Sequence, residues 1–460
     1  MFRRILVAAR GEIAMRIIRC CSEMGIETVL VYAREDREEM PVQFCNIPVC
    51  IGAGGARGSY LRWESILQAA VTFRCEAVHP GYGFLAENAL FAEACETAGV
   101  RFIGPSAEMI RRMGDKQSAR KLMQASGVPC VPGSDGIVRT PEEAAEAAER
   151  AGYPVLLKAS AGGGGRGMRA AESPEEIPAA FAEAKAEAES AFGDGSLYLE
   201  KLILRPRHIE VQILGDQHGN LIHLGERDCT MQRRNQKMLE ESPARGLSEE
   251  QRRQLYTYAL RAAKAVGYYS AGTVEFVMDQ NGAFYFIEMN TRIQVEHPVT
   301  ELVTGVDLIS EQLRIAAGLS LLRSQDMVSL NGHAIECRIN AEDPENGFCP
   351  SPGTVKFLHL PGGPGVRVET VLYQNCEISP LYDSLVAKII VHAPGRLEAI
   401  RKMRMALEET IIDGVKTNIE FMLLLMYNAE YMLGRTDTSF IERNAEGILV
   451  WNRASRKEPV

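Results

Sequence analysis

A run of alternating polar residues past the middle of the chain is the clearest sign of chemistry in the sequence. If the chain is extended from Phe284 to Glu296, the period-two rule predicts that its polar side chains share one face: Glu288, Asn290, Arg292, Gln294 and Glu296. Met289, Ile293 and Val295 then point to the opposite face. A face with carboxylates, amides and an arginine is suited to binding an ion or a charged substrate.

The segment before this run predicts a pair of facing carboxylates. Asn281-Gly282 is a strong hairpin signal between the strand-like runs 273–278 and 284–288. A two-residue loop at this dipeptide places Glu275 directly opposite Glu288. Two facing carboxylates need a cation, and oxygen ligands of this kind, with Asn290 nearby, are typical of a Mg²⁺ site. The alternative is that both glutamates lie on a solvated sheet face.

Composition excludes several classes of protein. The 460 residues are 46% hydrophobic and 24% charged, which is ordinary for a globular protein, and this length favours about two to four domains. A net charge of −9 argues against general affinity for nucleic acid or anionic membranes. Eleven cysteines without a CxxC pair favour reduced thiols over a disulfide framework or a zinc site. The apolar runs are too short for a membrane span or a signal peptide, so we expect a cytoplasmic protein.

Strand and helix patterns alternate over the first hundred residues and predict a doubly wound parallel α/β domain, which we place at residues 1–113. Residues 81–86 match the dinucleotide-binding pattern GxGxxA. No acidic residue stands at the expected ribose position, however. We therefore interpret this segment as a tight loop that presents Tyr82.

A second unit, at residues 114–330, contains candidate anion-binding segments. An apolar strand ends at Lys158 and runs into a glycine-rich stretch that includes Gly164 and Gly165. Glycines let backbone N–H groups approach phosphates, and the lysine adds a charge, although a flexible linker is the alternative. The segment 226–237 concentrates cationic side chains and is a second candidate anion site. From residue 331 to 447 strands, turns and a helix predict an α+β domain, followed by a tail at 448–460.

Several motifs together resemble an ATP-grasp ligase, and more closely the biotin carboxylase subunit of acetyl-CoA carboxylase. In chain order they are Arg10 to Ala14, His79 to Phe84, Met113 to Lys116, Lys158 with the glycine loop, Glu226 to Cys229, Glu288 to His297, and Arg338 to Asp343. The resemblance implies ATP-dependent carboxylation of biotin with bicarbonate, through carboxyphosphate, as the first half-reaction of acetyl-CoA carboxylase. It also implies that the central domain has the ATP-grasp fold, with a mobile lid at about residues 131–203.

The resemblance assigns a role to each matching residue. ATP is expected to contact Lys116, Lys158, Gly164, Gly165, Glu200, Lys201, Ile203, His208 and Asn235, whereas Mg²⁺ or Mn²⁺ is expected on Glu275, Glu288 and Asn290. Bicarbonate is expected among Lys237, Arg292, Gln294 and the backbone of Val295. Glu296 is expected to deprotonate it, Arg338 to stabilise the biotin enolate, and Tyr82 to contact the biotin ring.

The same resemblance implies partners. An Ala-Met-Lys-Met attachment motif is absent from the sequence, so biotin is expected on a separate carrier protein. Carboxyltransferase subunits and a homodimer are expected from the family alone. The same half-reaction serving pyruvate, propionyl-CoA or another acceptor is an open alternative, because the acceptor is selected elsewhere.

The sequence also departs from the family pattern at two positions. Asn235 stands where the family usually has histidine, and Ala9 stands where it usually has asparagine. A neutral amide can still donate to a phosphate but carries no charge. These changes leave open a slower or specialised paralogue, or a nucleotide-binding scaffold without activity.

Overall fold

The computed structural model describes residues 1–160 and 167–455, with side chains up to residue 450. Two residues of the predicted ATP site, Gly164 and Gly165, lie outside this range. Within it, no helix is long and apolar enough to cross a membrane. All eleven cysteines fall in the described ranges and are free thiols, as their spacing predicted.

The first sheet is fully parallel, in the order β3-β2-β1-β4-β5, which confirms the doubly wound prediction. Its elements are β1 (Arg4–Val7), α1 (Gly11–Glu23), β2 (Glu27–Tyr32), α2 (Met40–Phe44), β3 (Ile47–Cys50), α3 (Trp63–Thr72), β4 (Ala77–His79), α4 (Ala89–Thr97) and β5 (Arg101–Phe102). The Tyr82 loop follows β4 and is tightly packed, because a Cβ on Gly81, whose φ is +64°, would lie 2.9 Å from the Cβ of Ala9.

A small antiparallel sheet, in the order β7-β6-β8, lies in the region of the predicted lid. The elements leading into and forming it are α5 (Ala107–Gly114), α6 (Lys116–Ala125), α7 (Pro141–Ala151), β6 (Val155–Ala159), β7 (Met168–Ala171), α8 (Ile177–Phe192) and β8 (Leu197–Lys201). Buried alanines of α7 and α8 pack with β6 and β8 in a core of their own. Strand β6 thereby holds Lys158 beside Glu200 of β8.

An eight-stranded antiparallel sheet forms the centre of the molecule, in the order β13-β12-β9-β10-β11-β14-β21-β19. Its first part comprises β9 (Arg207–Gly215), β10 (Leu221–Arg233), β11 (Gln236–Ser242), α9 (Glu249–Val266), β12 (Ser270–Met278), β13 (Phe284–Asn290), α10 (His297–Thr304) and α11 (Leu308–Ala316). Helix α9 begins with a capping box in which Ser248 and Gln251 each satisfy the other's backbone N–H. Its alanines pack against the apolar face of β9, β12 and β13.

The remaining elements follow the predicted domain boundary at residue 330, and three of their strands extend this sheet beyond β11. They are β14 (His333–Asn340), β15 (Glu342–Asp343), β16 (Cys349–Pro350), β17 (Gly353–Thr354), β18 (Phe357–His359), β19 (Val366–Thr370), β20 (Glu377–Ile378), β21 (Leu385–Ala393), α12 (Arg396–Glu409), β22 (Ile411–Asp413), α13 (Ile419–Tyr427), α14 (Ala429–Leu433) and α15 (Phe440–Ser455). Strand β14 pairs with β11, so residues from the predicted second and third units belong to one β-sheet.

Candidate active site

Three glutamates form a row across neighbouring strands of the central sheet. Glu275 of β12 pairs with Glu288 of β13 on one side and with Glu210 of β9 on the other. The pairing of Glu275 with Glu288 confirms the predicted register. The row places three carboxylates on one part of the sheet, two of which are almost wholly buried: Glu210 is 0% exposed and Glu275 is 5% exposed.

The hairpin has this register for a different reason from the one predicted. Asp279 donates its N–H to the carbonyl of Ala283, so the hairpin loop has three residues, 280–282, rather than two. That loop alone would place Glu275 opposite Ile287. A β-bulge between Glu275 and Phe276 inserts one extra residue in β13 and restores the pair with Glu288.

Lys237 of β11 neutralises much of this acidic cluster. Its Nζ lies 2.6 Å from Glu210, 2.9 Å from Glu275 and 2.8 Å from Glu296. Burial alone would lower the pKa of Lys237, but the three carboxylates outweigh it and raise the pKa well above the usual value. The ammonium form is therefore the stable form in the folded chain.

His208 adds a second cation beside the same carboxylates. Its Nε2 lies 3.0 Å from Glu275 Oε2. Burial would lower the pKa of this imidazole, but Glu275 outweighs that effect and raises the pKa to about 9. The pKa of Glu275 is in turn low: burial would raise it, and Lys237 and His208 more than reverse the effect.

Glu296, the predicted base, is fully buried between two cations. Lys237 Nζ donates to its Oε1, and Arg338 Nη2 donates to its Oε2 over 2.9 Å. Burial would raise the pKa of Glu296, but Lys237 and Arg338 hold it below the usual value. Arg338 is oriented by a second carboxylate, because its Nε donates to Glu240 over 2.6 Å.

The segment between β13 and α10 brings the predicted bicarbonate residues together without being a strand. The expectation of an extended chain to Glu296 is wrong beyond Asn290, where β13 ends. The N–H of Thr291 donates instead to Glu87, and the chain turns into α10 at His297. The turned segment lets Arg292 reach Gln294 Oε1 over 2.9 Å, while Gln294 Nε2 donates to Glu275 over 3.1 Å.

Two of the three predicted metal ligands, Glu275 and Glu288, are placed to bind a divalent cation. The pKa of Glu288 is raised by burial and by the charge of Glu275, so a cation between them would relieve a real repulsion. Asn290 differs from the prediction, because its Nδ2 donates to Glu275 and its Oδ1 accepts from Arg292. It would have to exchange its amide oxygen and nitrogen to become a ligand.

Replacing Glu288 by glutamine is expected to stabilise the metal-free chain and to weaken its use of Mg²⁺. The substitution removes a carboxylate that faces Glu275, and it also removes an oxygen ligand. Loss of even an outer partner of a metal site costs about tenfold to a hundredfold in affinity, so we expect at least that shift in the Mg²⁺ dependence of ADP release. Thermal unfolding in chelator and a Mg²⁺ titration measure the two effects. An unchanged Mg²⁺ dependence would exclude Glu288 as a ligand.

A pocket of about 200 Å³ lies beside the row, next to Phe286 and Ile287 of β13, and contains residues predicted to bind ATP. Lys116 and Glu200 line it, together with Tyr198 and Phe286. Glu200 also binds Lys158 of the neighbouring strand and, over 2.8 Å, Arg120 Nη1. These contacts join two predicted ATP residues of the small sheet, Lys158 and Glu200, to helix α6, which carries Lys116 and Arg120.

Two predicted ATP residues, Lys201 and Ile203, do not line this pocket. The ammonium of Lys201 donates to the carbonyls of Gly152 and Tyr153, and its side chain is not part of the pocket wall. Ile203 follows β8 and is half-buried. Its predicted contact with ATP remains a prediction.

The basic segment 226–237 is not a single anion site. Arg227 is fully buried and paired with Glu210 over 2.5 Å, whereas Arg233 stacks on the ring of Phe348. Arg227 thus contacts one carboxylate of the row, whereas Lys237 contacts Glu210, Glu275 and Glu296. Asn235 is exposed at the hairpin turn with φ +61°, a left-handed conformation that asparagine tolerates well.

Sequence reasoning missed four buried or half-buried residues at this site. They are Arg120, Glu210, Glu240 and Lys388. One signal was available, because polar His208, Glu210 and Gln212 alternate with apolar residues along β9. No comparable pattern distinguishes the others.

Family comparisons cover almost the whole chain. Residues 1–110 match the biotin carboxylase N-terminal domain, and residues 336–443 match the biotin carboxylase C-terminal domain. Residues 115–324 match the ATP binding domain of the carbamoyl-phosphate synthase L chain. The chain belongs to the biotin carboxylase family. It is an ATP-dependent ligase that carboxylates biotin, so the scaffold without activity is set aside.

Curated proteins and solved structures of this family match the chain over nearly their whole lengths. A biotin carboxylase from Nostoc sp. is 53% identical over 441 residues, which cover 96% of this chain and 99% of that protein. Biotin carboxylase 1 of Bacillus subtilis is 51% identical over 443 residues, covering 96% and 98%. The biotin carboxylase domain dimer of Hydrogenobacter thermophilus 2-oxoglutarate carboxylase, solved with MgADP, ADP and bicarbonate, has a TM-score of 0.94 at 51% identity and covers 97% and 99%.

Proposed function

We propose that this chain is the biotin carboxylase subunit of acetyl-CoA carboxylase and that it carboxylates biotin on a separate carrier protein. The observation that carries the chemical part of the proposal is Glu296, a buried carboxylate held ionised by Lys237 and Arg338. A general base must be in its unprotonated form before it can accept a proton. Both cations that maintain this form also lie where they can bind anionic substrates.

Bicarbonate binds beside Glu296, among Lys237, Arg292 and Gln294. Glu296 removes the bicarbonate proton, and the resulting anion attacks the γ-phosphorus of ATP, giving carboxyphosphate and ADP. Arg292 is held for this task by Glu87, whose Oε2 accepts from its Nε over 2.9 Å. Mg²⁺ held by Glu275 and Glu288 would neutralise charge on the phosphoryl group during transfer.

Biotin is carboxylated near Arg338 and Tyr82. Carboxyphosphate breaks down to CO₂ and phosphate, and the phosphate takes the ureido proton of biotin. Arg338 stabilises the enolate oxygen that develops, and the nitrogen then bonds to CO₂. Because Glu240 and Glu296 each accept from a different nitrogen of Arg338, the guanidinium is oriented before biotin arrives.

The carrier, the carboxyltransferase and a homodimer complete the proposal. Membership of the biotin carboxylase family supports the carrier, because biotin carboxylases act on biotin that is carried on a separate protein. The dimer is supported by the Hydrogenobacter relative, which was solved as a dimer. That relative also favours a second candidate, the same half-reaction in the service of a 2-oxo acid carboxylase.

The test begins with ADP release by the purified chain in Mg²⁺-ATP, with and without bicarbonate and free biotin. We expect release that requires bicarbonate and rises with biotin, despite Asn235 and Ala9. Release that ignores bicarbonate, or no release with free biotin and with the native carrier, would contradict the proposed mechanism.

Labelled bicarbonate then identifies the acceptor. In the presence of the native carrier and carboxyltransferase, transfer of label to acetyl-CoA supports the acetyl-CoA carboxylase. Transfer to 2-oxoglutarate or pyruvate instead would establish the second candidate.

A further inference from the structure

Lys388 is a fully buried lysine for which the proposed mechanism has no role. It lies in β21, with 0% of its surface exposed. In the ladder between β14 and β21 it stands directly opposite Arg338. Its position on the sheet is therefore next to the arginine that donates a hydrogen bond to Glu296.

The ammonium of Lys388 joins two parts of the chain that are distant in sequence. Its Nζ donates to the carbonyl oxygen of Val295 over 2.8 Å and lies 3.1 Å from Glu12 Oε1. The same Glu12 oxygen accepts from the hydroxyl of Tyr82. One buried cation thus links the bicarbonate segment to the side chain expected against biotin.

The charge of Lys388 is maintained in this buried position. Burial would lower its pKa, but Glu12, then Glu336 and Glu369, outweigh that effect and raise it. A buried charge is costly unless it is paired and hydrogen-bonded, so the two partners of Lys388 are strongly held. Glu336 does not compete for the ammonium, because neither of its oxygens has a hydrogen-bond partner among the described residues.

A purely structural ion pair would need only Glu12. The second bond of Lys388 is to the carbonyl of the residue immediately before Glu296, and this carbonyl has no charge to neutralise. The two contacts fix Val295 and Tyr82 at the same time, and each belongs to a different predicted substrate site.

We propose that Lys388 is a positioning residue that couples the bicarbonate segment to Tyr82, so that carboxyphosphate and biotin are held in one reactive geometry. The inference rests on the substrate roles proposed above for Val295 and Tyr82. Its consequence is that a change at Tyr82 is transmitted to bicarbonate through Glu12 and Lys388.

The first experiment replaces Lys388 by methionine, which keeps an unbranched side chain one atom shorter but removes the charge and the donors. Displacing a reacting group by about 1 Å costs up to about a hundredfold in rate, so we expect kcat to fall by about tenfold to a hundredfold. The KM for bicarbonate should rise, and the KM for ATP should stay within about twofold because the nucleotide pocket is not touched. Lys388→Arg, which retains charge and donors, should restore part of the loss.

Arg396→Met is the matched control. Arg396 also pairs with a buried carboxylate, Glu241, and donates to a backbone carbonyl, that of Met432, away from the site. We expect this substitution to lower thermal stability and to leave both KM values unchanged. If Lys388→Met has the same pattern, its role is structural and the inference is wrong.

Tyr82→Phe keeps the inference testable even if Lys388→Met does not fold, since it removes only one hydroxyl. The coupling predicts a higher KM for bicarbonate as well as for biotin. Where both variants fold, residues that act through one network are non-additive, so Tyr82→Phe in the Lys388→Met background should have little further effect. A rise in the KM for biotin without one for bicarbonate, or additive effects of the two substitutions, would overturn the coupling.

Measurements on the unsubstituted chain distinguish failure of the proposed mechanism from failure of the coupling. If it shows no bicarbonate-dependent ADP release, the proposed mechanism fails. If it does show that release and the Tyr82 and Lys388 variants behave independently, only the coupling fails.

Discussion

Replacing Glu296 by glutamine is expected to reduce biotin-dependent turnover by about a thousandfold while leaving ATP binding intact, because general base catalysis contributes about 10²- to 10⁴-fold. The amide keeps the size of the side chain and can still accept from Lys237 or Arg338, but it cannot take a proton from bicarbonate. ATP binding is spared because Glu296 lines no part of the nucleotide pocket. Stopped-flow or coupled ADP assays measure turnover, and calorimetry measures ATP affinity.

Glu241→Gln is the control for this experiment. Glu241 lies on β11 like Lys237, is 5% exposed, and is paired with Arg396 and His333 instead of substrate-binding residues. We expect this variant to be less stable but fully active. Retention of turnover in Glu296→Gln, or loss of its ATP binding in a folded chain, would refute the assignment of Glu296 as the base.

The pH dependence of turnover gives a second check on Glu296. Its pKa is depressed, so its ionised form persists well below neutral pH. Any loss of activity between about pH 8 and pH 6 must therefore arise from another group.

Local sequence patterns predicted the facing carboxylates, whereas most other site residues came from the resemblance to biotin carboxylases. Alternation and the turn at Asn281-Gly282 placed Glu275 opposite Glu288, and the fold agrees. The agreement needed two deviations that compensate, a longer loop and a bulge. Neither can be read from the sequence, because the loop contains the Asn-Gly pair typical of two-residue turns and no glycine marks the bulge in β13.

Contacts between distant strands were beyond local patterns. Lys388 meets Val295 across 93 positions of sequence, and Lys237 meets Glu296 across 59. Lys237 on β11 and Lys388 on β21 lie in one sheet and both reach the segment between β13 and α10. Of the two contacts, that of Lys388 crosses the boundary that sequence reasoning placed at residue 330. The basic segment failed as a prediction for a related reason. Cationic side chains that are close in sequence lie apart in space when one is on a strand and faces the core while others are in an exposed turn.

Replacing Lys237 by methionine is expected to damage stability as well as activity. One ammonium serves Glu210, Glu275 and Glu296, so its removal leaves three buried carboxylates short of a partner. Breaking a buried ion pair by removing one member costs about 3–5 kcal/mol, and we expect a loss of that size in the free energy of unfolding at about pH 8. Turnover should fall by at least about a hundredfold, because Glu296 also loses one of the two cations that keep it ionised.

Acidification distinguishes this cause from a general packing defect. In the unsubstituted chain the pKa values of Glu210 and Glu275 are depressed, so their contribution to stability is present above the ordinary glutamate pKa and is lost as the pH falls through the lowered values. Without Lys237 those pKa values rise, and protonation in mildly acidic buffer relieves the repulsion. The stability difference between the two chains should therefore narrow from about pH 8 to pH 5, as measured by denaturant unfolding. A difference that stays constant over this range would mean that the ammonium of Lys237 does not hold the three carboxylates together.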